Sequence, residues 1–368
     1  MKNNQGAVTM DIMPIKNIDD WEMRLKRQDA CWNCEILDRP VVCMAVCEPG
    51  YQQPEPKQTH ANMAEYWLDA EYQAERRLAG IKATKYYGDA LPFTFPNVGP
   101  DFFAACFGGS ILFEEKTTSY IVPFVKDYAE LDSMRFNYQS ECFKNMEKLY
   151  DALIAINDGD CYIGWPDIHP GGDCLAGLRG SEVLCMDLYD YPDQVKKNVK
   201  MVTAELKKLL DFYSKKLGAY KYAVTGWPGI VSSKRWAVPS CDFAYMISTD
   251  DFREFFLEGI REECSFTEAS IFHLDGKGSL KHLDALLEID KLNTIQWIYG
   301  AGHGRASDWI PVYRKVQAAG KGVQINIGHD ELDTIMQNLH PEGVFLNVGG
   351  IDDEEAANAV ISKISKWR

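Results

Sequence analysis

The chain has no apolar run long enough to span a membrane, and residues 1–20 lack the apolar core of a secretory signal. Lysine and arginine form no block, and the net charge is −15. Nucleic acid and anionic membrane surfaces are therefore not expected as partners. The 11 cysteines are odd in number and scattered, which favours a reducing, cytoplasmic setting with most thiols buried.

Two motifs with known functions are incomplete. Cys31-x-x-Cys34 has no second cysteine pair at matching spacing, and no thioredoxin-like strand precedes it, so we assign it neither zinc binding nor redox activity. The first apolar run, residues 41–47, is not followed by the glycine fingerprint of a dinucleotide-binding domain. A doubly wound open sheet is therefore an alternative and not the leading prediction.

The chain does contain a repeated alternation of short apolar runs with helical patterns. Continuous apolar runs are typical of strands buried on both faces. Their centres are Val41, Phe93, Tyr162, Ala223, Phe272, Ile295, Val323 and Phe345. Eight such units predict an α/β fold, a single (β/α)8 TIM-type barrel over residues 38–368, preceded by a leader and helix over residues 1–37. Residues 111–122 mix charged and apolar side chains and predict a hairpin over one end.

Polar residues directly follow two of the predicted strands in residues 269–304. The first strand ends in His273-Leu-Asp275, and the second ends in Tyr299 and a glycine loop containing His303. The carboxyl ends of parallel strands form the working face of α/β proteins. We therefore predict that His273, Asp275 and His303 are catalytic. The alternatives are a capping or turn role for Asp275, a hydrogen-bonded core position for His273 and a solvated loop position for His303.

Polar and aromatic residues after other strands extend this predicted site. Asp167 and His169 suit an acid–base pair, although an aspartate before a turn can equally be a cap. The predicted substrate-binding residues are Trp165, Trp227, Asp242, Arg235, Arg305 and Tyr299. Tryptophans suit the walls of a pocket, with core filling as the alternative, and arginines suit an anionic group. Arg39 precedes the first strand, where a structural ion pair is expected.

Several short motifs follow one another in an order that resembles a known superfamily. They are Asp38-Arg39-Pro40-Val41-Val42, Gly99-Pro100 with Phe107-Gly108-Gly109, Leu178-Arg179-Gly180, Ser248 with Asp251-Phe252-Arg253-Glu254-Phe255, and His273-Leu274-Asp275-Gly276. Over about the whole chain after residue 35 they resemble the uroporphyrinogen decarboxylase-like superfamily. That superfamily contains haem-pathway decarboxylases and corrinoid-dependent methyltransferases. The resemblance by itself implies a single (β/α)8 barrel.

The sequence departs from the motifs of both subfamilies. The decarboxylases carry arginines after the first strand that bind substrate carboxylates, whereas this chain reads Cys47-Glu48-Pro49-Gly50-Tyr51. A glutamate there would repel a polycarboxylate. The methyltransferases hold zinc with His-x-Cys and a distant second cysteine. Here the first element reads His273-Leu274-Asp275, and the last strand ends in Asn347-Val348-Gly349-Gly350.

The resemblance therefore implies a methyltransferase that moves a methyl group between a corrinoid and a small substrate, with a corrinoid protein as partner. A decarboxylase of a tetrapyrrole or related acid is the alternative, and a non-catalytic corrinoid- or ligand-binding protein is a third. A bound zinc would have His273, Asp275 and Cys241 as its expected ligands. The missing second cysteine favours a metal-free site in which Asp275 is an acid–base or positioning group.

Overall fold

The structure, a computed structural model, describes residues 11–368, so the first ten residues of the predicted leader lie outside it. The strands are β1 (Val41–Cys47), β2 (Thr84–Gly88), β3 (Phe93–Thr94), β4 (Ile111–Phe113), β5 (Ser119–Ile121), β6 (Tyr162–Ile163), β7 (Val224–Thr225), β8 (Val231–Ser232), β9 (Trp236–Ala237), β10 (Ala269–Asp275), β11 (Thr294–Ile298), β12 (Gly322–Gly328) and β13 (Val344–Gly349). The α-helices are α1 (Trp21–Cys31), α2 (Met63–Leu68), α3 (Ala70–Lys82), α4 (Phe102–Ala105), α5 (Tyr128–Ser133), α6 (Glu141–Ile156), α7 (Gly171–Arg179), α8 (Ser181–Asp190), α9 (Pro192–Gly218), α10 (Thr249–Asp251), α11 (Leu257–Ser265), α12 (Leu283–Leu287), α13 (Ile310–Ala318), α14 (Leu332–Asn338) and α15 (Glu354–Ile364). The predicted extension helix is α1.

The largest sheet places the carboxyl ends of six parallel strands at one edge. Its order is β2-β1-β13-β12-β11-β10-β9, and only β2 runs antiparallel to its neighbour. β3 and β6 form a second parallel pair. Gly164 donates its N–H to the Thr94 carbonyl, and Trp165 donates to the Thr225 carbonyl, so β3, β6 and β7 are neighbours. All eight predicted strand centres lie in these strands or, for Ala223, beside one.

These strands form a barrel-like ring, but the hydrogen-bonded ladders do not close around it within residues 11–368. Between β1 and β3, and between β7 and β9, the ladder is interrupted. At the second gap the chain forms an antiparallel hairpin of β7 and β8, with Gly229 at φ +82° in its turn. The predicted α/β class and parallel sheet are confirmed, whereas the closed barrel is not. β3, β6, β7 and β9 have only two residues each, too few to complete a ladder.

Helices cover the outside of the ring, and their ends follow ordinary capping rules. α9 begins with Pro192, which suits the first helical turn because that N–H has no intrahelical partner. The Ser248 hydroxyl accepts the Asp251 N–H at the start of α10. The hairpin predicted over residues 111–122 is the β4–β5 pair. No helix in the described part of the chain is both long and apolar enough to cross a membrane.

α1 closes the amino end of the ring. Gln28 donates its amide to the Asp89 carbonyl at 2.7 Å and accepts the Val231 N–H at 2.7 Å. Trp32 donates its indole N–H to the Ser232 hydroxyl at 3.1 Å. The opposite end, where the parallel strands finish, is therefore the open one, and we call it the mouth.

Arg39 forms the structural ion pair expected from its position before β1. Its guanidinium binds both oxygens of Asp89 at 2.5 and 2.9 Å, and Arg27 lies 3.1 Å from the same carboxylate. Asp89 is fully buried and also accepts the Val42 N–H at 3.0 Å. This pair therefore fixes the start of β1 at the amino end, far from the mouth.

Candidate functional site

A line of hydrogen bonds crosses the interior of the ring just below the mouth. His273, Gln296 and Gln324 are register partners on β10, β11 and β12, so their side chains share one face. His273 Nδ1 lies 2.6 Å from Gln296 Oε1, and Gln296 Nε2 donates to Gln324 Oε1 at 2.8 Å. Gln324 Nε2 donates to the Pro228 carbonyl in the β7–β8 turn at 2.6 Å. Both glutamines are buried, and the line satisfies polar groups that water does not reach.

His273, Asp275 and Asp242 converge at the mouth, with one nitrogen or oxygen atom of each within 4.8 Å of those of the others. Trp227 places its ring edge-on to His273, with centroids 4.7 Å apart. Burial is the main influence on His273 and lowers the pKa of its imidazole. The bond to Gln296 opposes this effect, and the charge of His169 adds to it. His273 is therefore neutral at neutral pH.

A second group joins the first through Asp242. His169 Nε2 lies 3.2 Å from Asp167, and His169 Nδ1 lies 3.4 Å from Asp173 and 3.7 Å from Asp242. Burial opposes the charged form of His169, but the hydrogen bonds and charges of Asp167 and Asp173 outweigh burial and raise its pKa well above the usual value. His169 is therefore an imidazolium held between carboxylates.

Asp242 is a carboxyl group at the mouth whose pKa is raised. Partial burial, followed by repulsion from Asp173, raises the pKa of Asp242 to about 7, while His169 acts in the opposite sense. Its side chain remains 46% exposed. Near neutral pH this carboxyl group exists in both protonation states, so it can give or take a proton from a molecule in the mouth.

The ring has two open cavities, and members of these groups line one of them. One, of about 380 Å³, is lined by Asp101, His169, Asp173, Asp242 and residues of α7 and α8. The other, of about 540 Å³, lies against the ends of β1, β12 and β13. Both are of the size that small-molecule sites in proteins usually have.

Five predicted site residues do lie together at the mouth. They are Asp167, Trp227, Asp242, His273 and Asp275. The 3-10 helix after β10 (Lys277–His282) starts behind Gly276 and has no side-chain cap. The capping alternative for Asp275 is therefore excluded, and its carboxylate is left for the site.

The two predicted arginines are bound to carboxylates outside this group. Arg235 lies at the amino end of β9 and pairs with Asp211 of α9 at 2.6 Å. The sequence pattern does not reveal β9, so Arg235 was predicted to follow a strand and to lie at the mouth. It precedes β9 instead, which places it at the opposite end of the ring. Arg305 is exposed and binds both oxygens of Asp330 at 2.7 and 2.8 Å.

Two further predicted residues lie in the loop after β11 and outside the group. His303 is exposed, and its carbonyl accepts the Trp309 indole N–H at 3.1 Å. Tyr299 is half-buried and stacks on Trp309, with centroids 6.0 Å apart. The solvated alternative for His303 therefore describes its position better than the catalytic prediction.

Trp165 and Cys241 are buried away from the open cavities. Trp165 is buried and lines a small cavity of about 40 Å³ together with Trp227 and with Leu206 and Leu210 of α9. It therefore packs against α9 and also forms a cavity wall with Trp227. Cys241 is buried beside Gly172 and does not belong to the group formed by His273 and Asp275. Burial raises the pKa of its thiol well above the usual value. The structure therefore does not support Cys241 as the predicted zinc ligand.

Sequence reasoning missed Asp173, Gln296 and Gln324. Asp173 follows His169 by four residues in the first turn of α7, and this spacing was the available signal. Gln296 and Gln324 are polar residues with apolar neighbours on both sides, Ile295 and Trp297 for the first and Val323 and Ile325 for the second. A polar residue at a buried strand position needs a partner, and this rule would have marked both.

Comparison with known proteins supports the fold alone. No protein-family model and no curated protein matches the chain. Among solved structures, a methyltransferase from Methanosarcina mazei is similar with a TM-score of 0.58 and 12% identity, over 94% of this chain and 98% of that one. A hyperthermophilic beta-glucosidase from Pyrococcus furiosus aligns over 89% of this chain and 95% of its own at 9% identity, but its TM-score of 0.36 is too low to indicate a shared fold. The chain is thus similar in fold, along nearly its whole length, to a methyltransferase.

Proposed function

We propose that the protein is a methyltransferase that moves a methyl group between a corrinoid and a small substrate. The likeness in fold to a methyltransferase supports the general class. The observation that carries the proposal is the convergence of neutral His273 with Asp242 and Asp275 beside an open cavity. This arrangement suits removal of a proton from an acceptor such as a thiol.

The residues at the mouth perform the proton chemistry of the transfer. His273 accepts the proton of the acceptor X–H group on its free ring nitrogen, which leaves X with the electron pair for attack on carbon. Asp242 and Asp275 then stabilise the imidazolium. A bound corrinoid would supply the methyl group as an electrophile and would retain the electron pair of the bond that breaks. In the opposite direction His273 returns the proton to the substrate.

The rim of the mouth exposes two large side chains to solvent. Tyr245 and Met246 are 55% and 51% exposed on the 3-10 helix Asp242–Met246. Met246 also lines the 380 Å³ cavity that contains Asp242. An exposed apolar rim beside polar groups is typical of a binding surface. A corrinoid protein would deliver its cofactor to this rim.

Zinc is a second candidate at the same place, and the donor set there could hold it. His273, Asp242 and Asp275 offer one nitrogen and two carboxylate oxygens within 4.8 Å. Three protein ligands with an open fourth position are typical of catalytic zinc, which would bind and acidify the acceptor. The missing cysteine at the end of β13 favours the metal-free form. Elemental analysis of protein from zinc-supplemented cultures, beside His273→Gln as control, decides between the two.

The charge of the mouth is unfavourable for a decarboxylase that binds a polycarboxylate. The mouth gathers Asp167, Asp173, Asp242 and Asp275, which would repel further carboxylates. The two arginines expected to bind an anionic substrate are paired with other residues.

Replacing Asp275 by Ala tests the proposed function. Because Asp275 caps no helix, the free energy of unfolding should change by less than about 0.5 kcal/mol. Methyl transfer from methylcobalamin to a panel of small thiols should fall by roughly 100-fold or more. Loss of the methylcobalamin absorbance measures the rate, and urea unfolding measures stability.

Asp284→Ala is the matched control, because Asp284 is an exposed carboxylate that pairs with Lys315 in a surface salt bridge. Its rate and stability should match those of the wild type. A wild-type protein that binds methylcobalamin without demethylating it would support the non-catalytic alternative. Equal rates for Asp275→Ala and the wild type would remove Asp275 from the mechanism.

A further inference from the structure

We infer that Gln296 and Gln324 are positioning residues that fix the tautomer of His273, with the proton on Nδ1 and the lone pair on Nε2. Neither glutamine touches the mouth. Both act through the line of hydrogen bonds that ends at the Pro228 carbonyl. The role of this tautomer in methyl transfer rests on the proposed function, whereas the tautomer itself does not.

The direction of the line is set at its far end. The Pro228 carbonyl can only accept a hydrogen bond. Gln324, which is 1% exposed, must therefore direct its NH₂ group at that oxygen, 2.6 Å away. Its own carbonyl oxygen then faces Gln296.

The orientation of the Gln324 amide fixes that of Gln296. Gln324 Oε1 needs a donor, and Gln296 Nε2 supplies it at 2.8 Å. Gln296 Oε1 is then left facing His273. Gln296 is 4% exposed, so turning its amide over would set donor against donor, or acceptor against acceptor, where no solvent can replace the lost bonds.

The third step assigns the proton on the imidazole. Gln296 Oε1 lies 2.6 Å from His273 Nδ1, so Nδ1 must carry a hydrogen. A neutral imidazole has only one N–H, and Nε2 therefore keeps a bare lone pair. That lone pair is what a general base or a metal ligand uses, and which nitrogen bears it is commonly decided by the partner of the other one.

The same logic makes the β7–β8 hairpin part of the site. Its turn brings the Pro228 carbonyl under the mouth and places Trp227 against the His273 ring at 4.7 Å. The interruption of the ladder between β7 and β9 thus has a consequence for the chemistry. It provides a fixed carbonyl acceptor that a regular parallel strand would have used within its own ladder.

Nitrogen NMR of ¹⁵N-histidine-labelled protein tests the inference without any activity assay. Long-range ¹H–¹⁵N correlations distinguish the two neutral tautomers, and His273→Gln assigns the signal among the seven histidines. At neutral pH, His273 of the wild type should be the Nδ1–H tautomer. The Nε2–H tautomer in the wild type would overturn the inference outright.

Two variants of Gln324 test its action at a distance. Gln324→Leu removes the anchor, so the Gln296 amide can turn and His273 should become a mixture of both tautomers. Gln324→Glu should restore the single Nδ1–H form, because burial keeps the new carboxyl group protonated and able to donate to Pro228. Thr294→Val, two residues before Gln296 on β11 and equally buried, is the control and should leave the tautomer unchanged.

Activity then separates this inference from the proposed function. If His273 is the source of the lone pair, kcat of Gln324→Leu should fall in proportion to the lost Nδ1–H population, with KM nearly unchanged, and Gln324→Glu should recover it. A single Nδ1–H tautomer in Gln324→Leu would show that Gln324 has no positioning role. If NMR shows the expected tautomers but the wild-type protein transfers no methyl group, the proposed function is contradicted and the inference about the tautomer stands.

Discussion

Two histidines at the mouth differ in charge because their nearest partners differ: His169 is a cation and His273 is neutral. His169 lies between Asp167 and Asp173, whose negative charges keep it an imidazolium despite its burial. His273 meets a neutral amide instead, so burial prevails and its imidazole stays uncharged. The pair therefore divides two roles. His169 offsets the negative charge of the mouth, and His273 supplies the basic nitrogen.

Asp242 should make stability depend on pH in a way that a single substitution removes. Its folded pKa of about 7 exceeds the ordinary value of 3.8, so between these pH values the folded protein holds a proton that the unfolded chain has lost. The free energy of unfolding therefore falls as pH rises from about 4 to about 7. Asp242→Asn should gain in melting temperature relative to the wild type as pH rises over this range.

Thermal unfolding at several pH values measures this difference. Asp284→Asn is the control for the loss of one carboxylate, because Asp284 is exposed and lies outside the mouth. An advantage of Asp242→Asn that shrinks as pH rises would contradict the assigned acidity of Asp242.

The location of a single residue in the fold was predictable where the residue lies at the end of a long strand. His273 and Asp275 end a seven-residue strand with a clear apolar pattern, so their place at the mouth followed from the sequence. His303 lies in a glycine-rich loop, where nothing in the pattern says whether the chain turns toward the mouth or toward solvent. Gln296 and Gln324 could have been marked as residues that need partners, but not paired with each other, because pairing across strands depends on register, which one sequence does not specify.

At the scale of secondary-structure elements, short strands were the source of error. β9 consists of Trp236 and Ala237 only, and two residues show no periodicity that distinguishes strand from loop. Arg235 was consequently assigned to the wrong end of a strand. The β7–β8 hairpin was read as a strand followed by a loop for the same reason. The long elements, by contrast, were predictable because their buried faces repeat over several turns or residues.

Helix α1 should act as a structural plug at the amino end. Gln28 satisfies two backbone groups at once, the Asp89 carbonyl and the Val231 N–H, and it is 1% exposed. Gln28→Leu keeps the volume but leaves both groups buried without a partner. The expected loss in the free energy of unfolding is on the order of 3 kcal/mol.

Urea unfolding measures that loss, with Lys26→Leu as control on an exposed position of the same helix. The control should remain within about 0.5 kcal/mol of the wild type. Equal stability of the two variants would show that the amide of Gln28 contributes little and that α1 is held by its apolar contacts.

At the scale of the whole molecule, the ring of strands is uneven around its circumference. β1, β10, β11, β12 and β13 have five to seven residues each and form continuous ladders. β3, β6, β7 and β9 have two residues each. β9 still pairs with β10, whereas gaps separate β3, β6 and β7 from the long strands. The mouth straddles both arcs, with His273 and Asp275 on the long-strand arc and His169 and Trp227 on the other.

This unevenness predicts two levels of amide hydrogen exchange. Because local opening is easier where fewer hydrogen bonds must break together, amides of β10–β13 should exchange most slowly and those of β6, β7 and β9 faster. A ligand that bridges His273 and His169 holds the two arcs together, so it should slow exchange in the short strands far more than in the long ones. Mass-spectrometric exchange with and without a corrinoid measures both effects. Uniform protection around the ring would show that the gaps in the ladder do not weaken it, and equal slowing of both arcs would place the ligand outside the mouth.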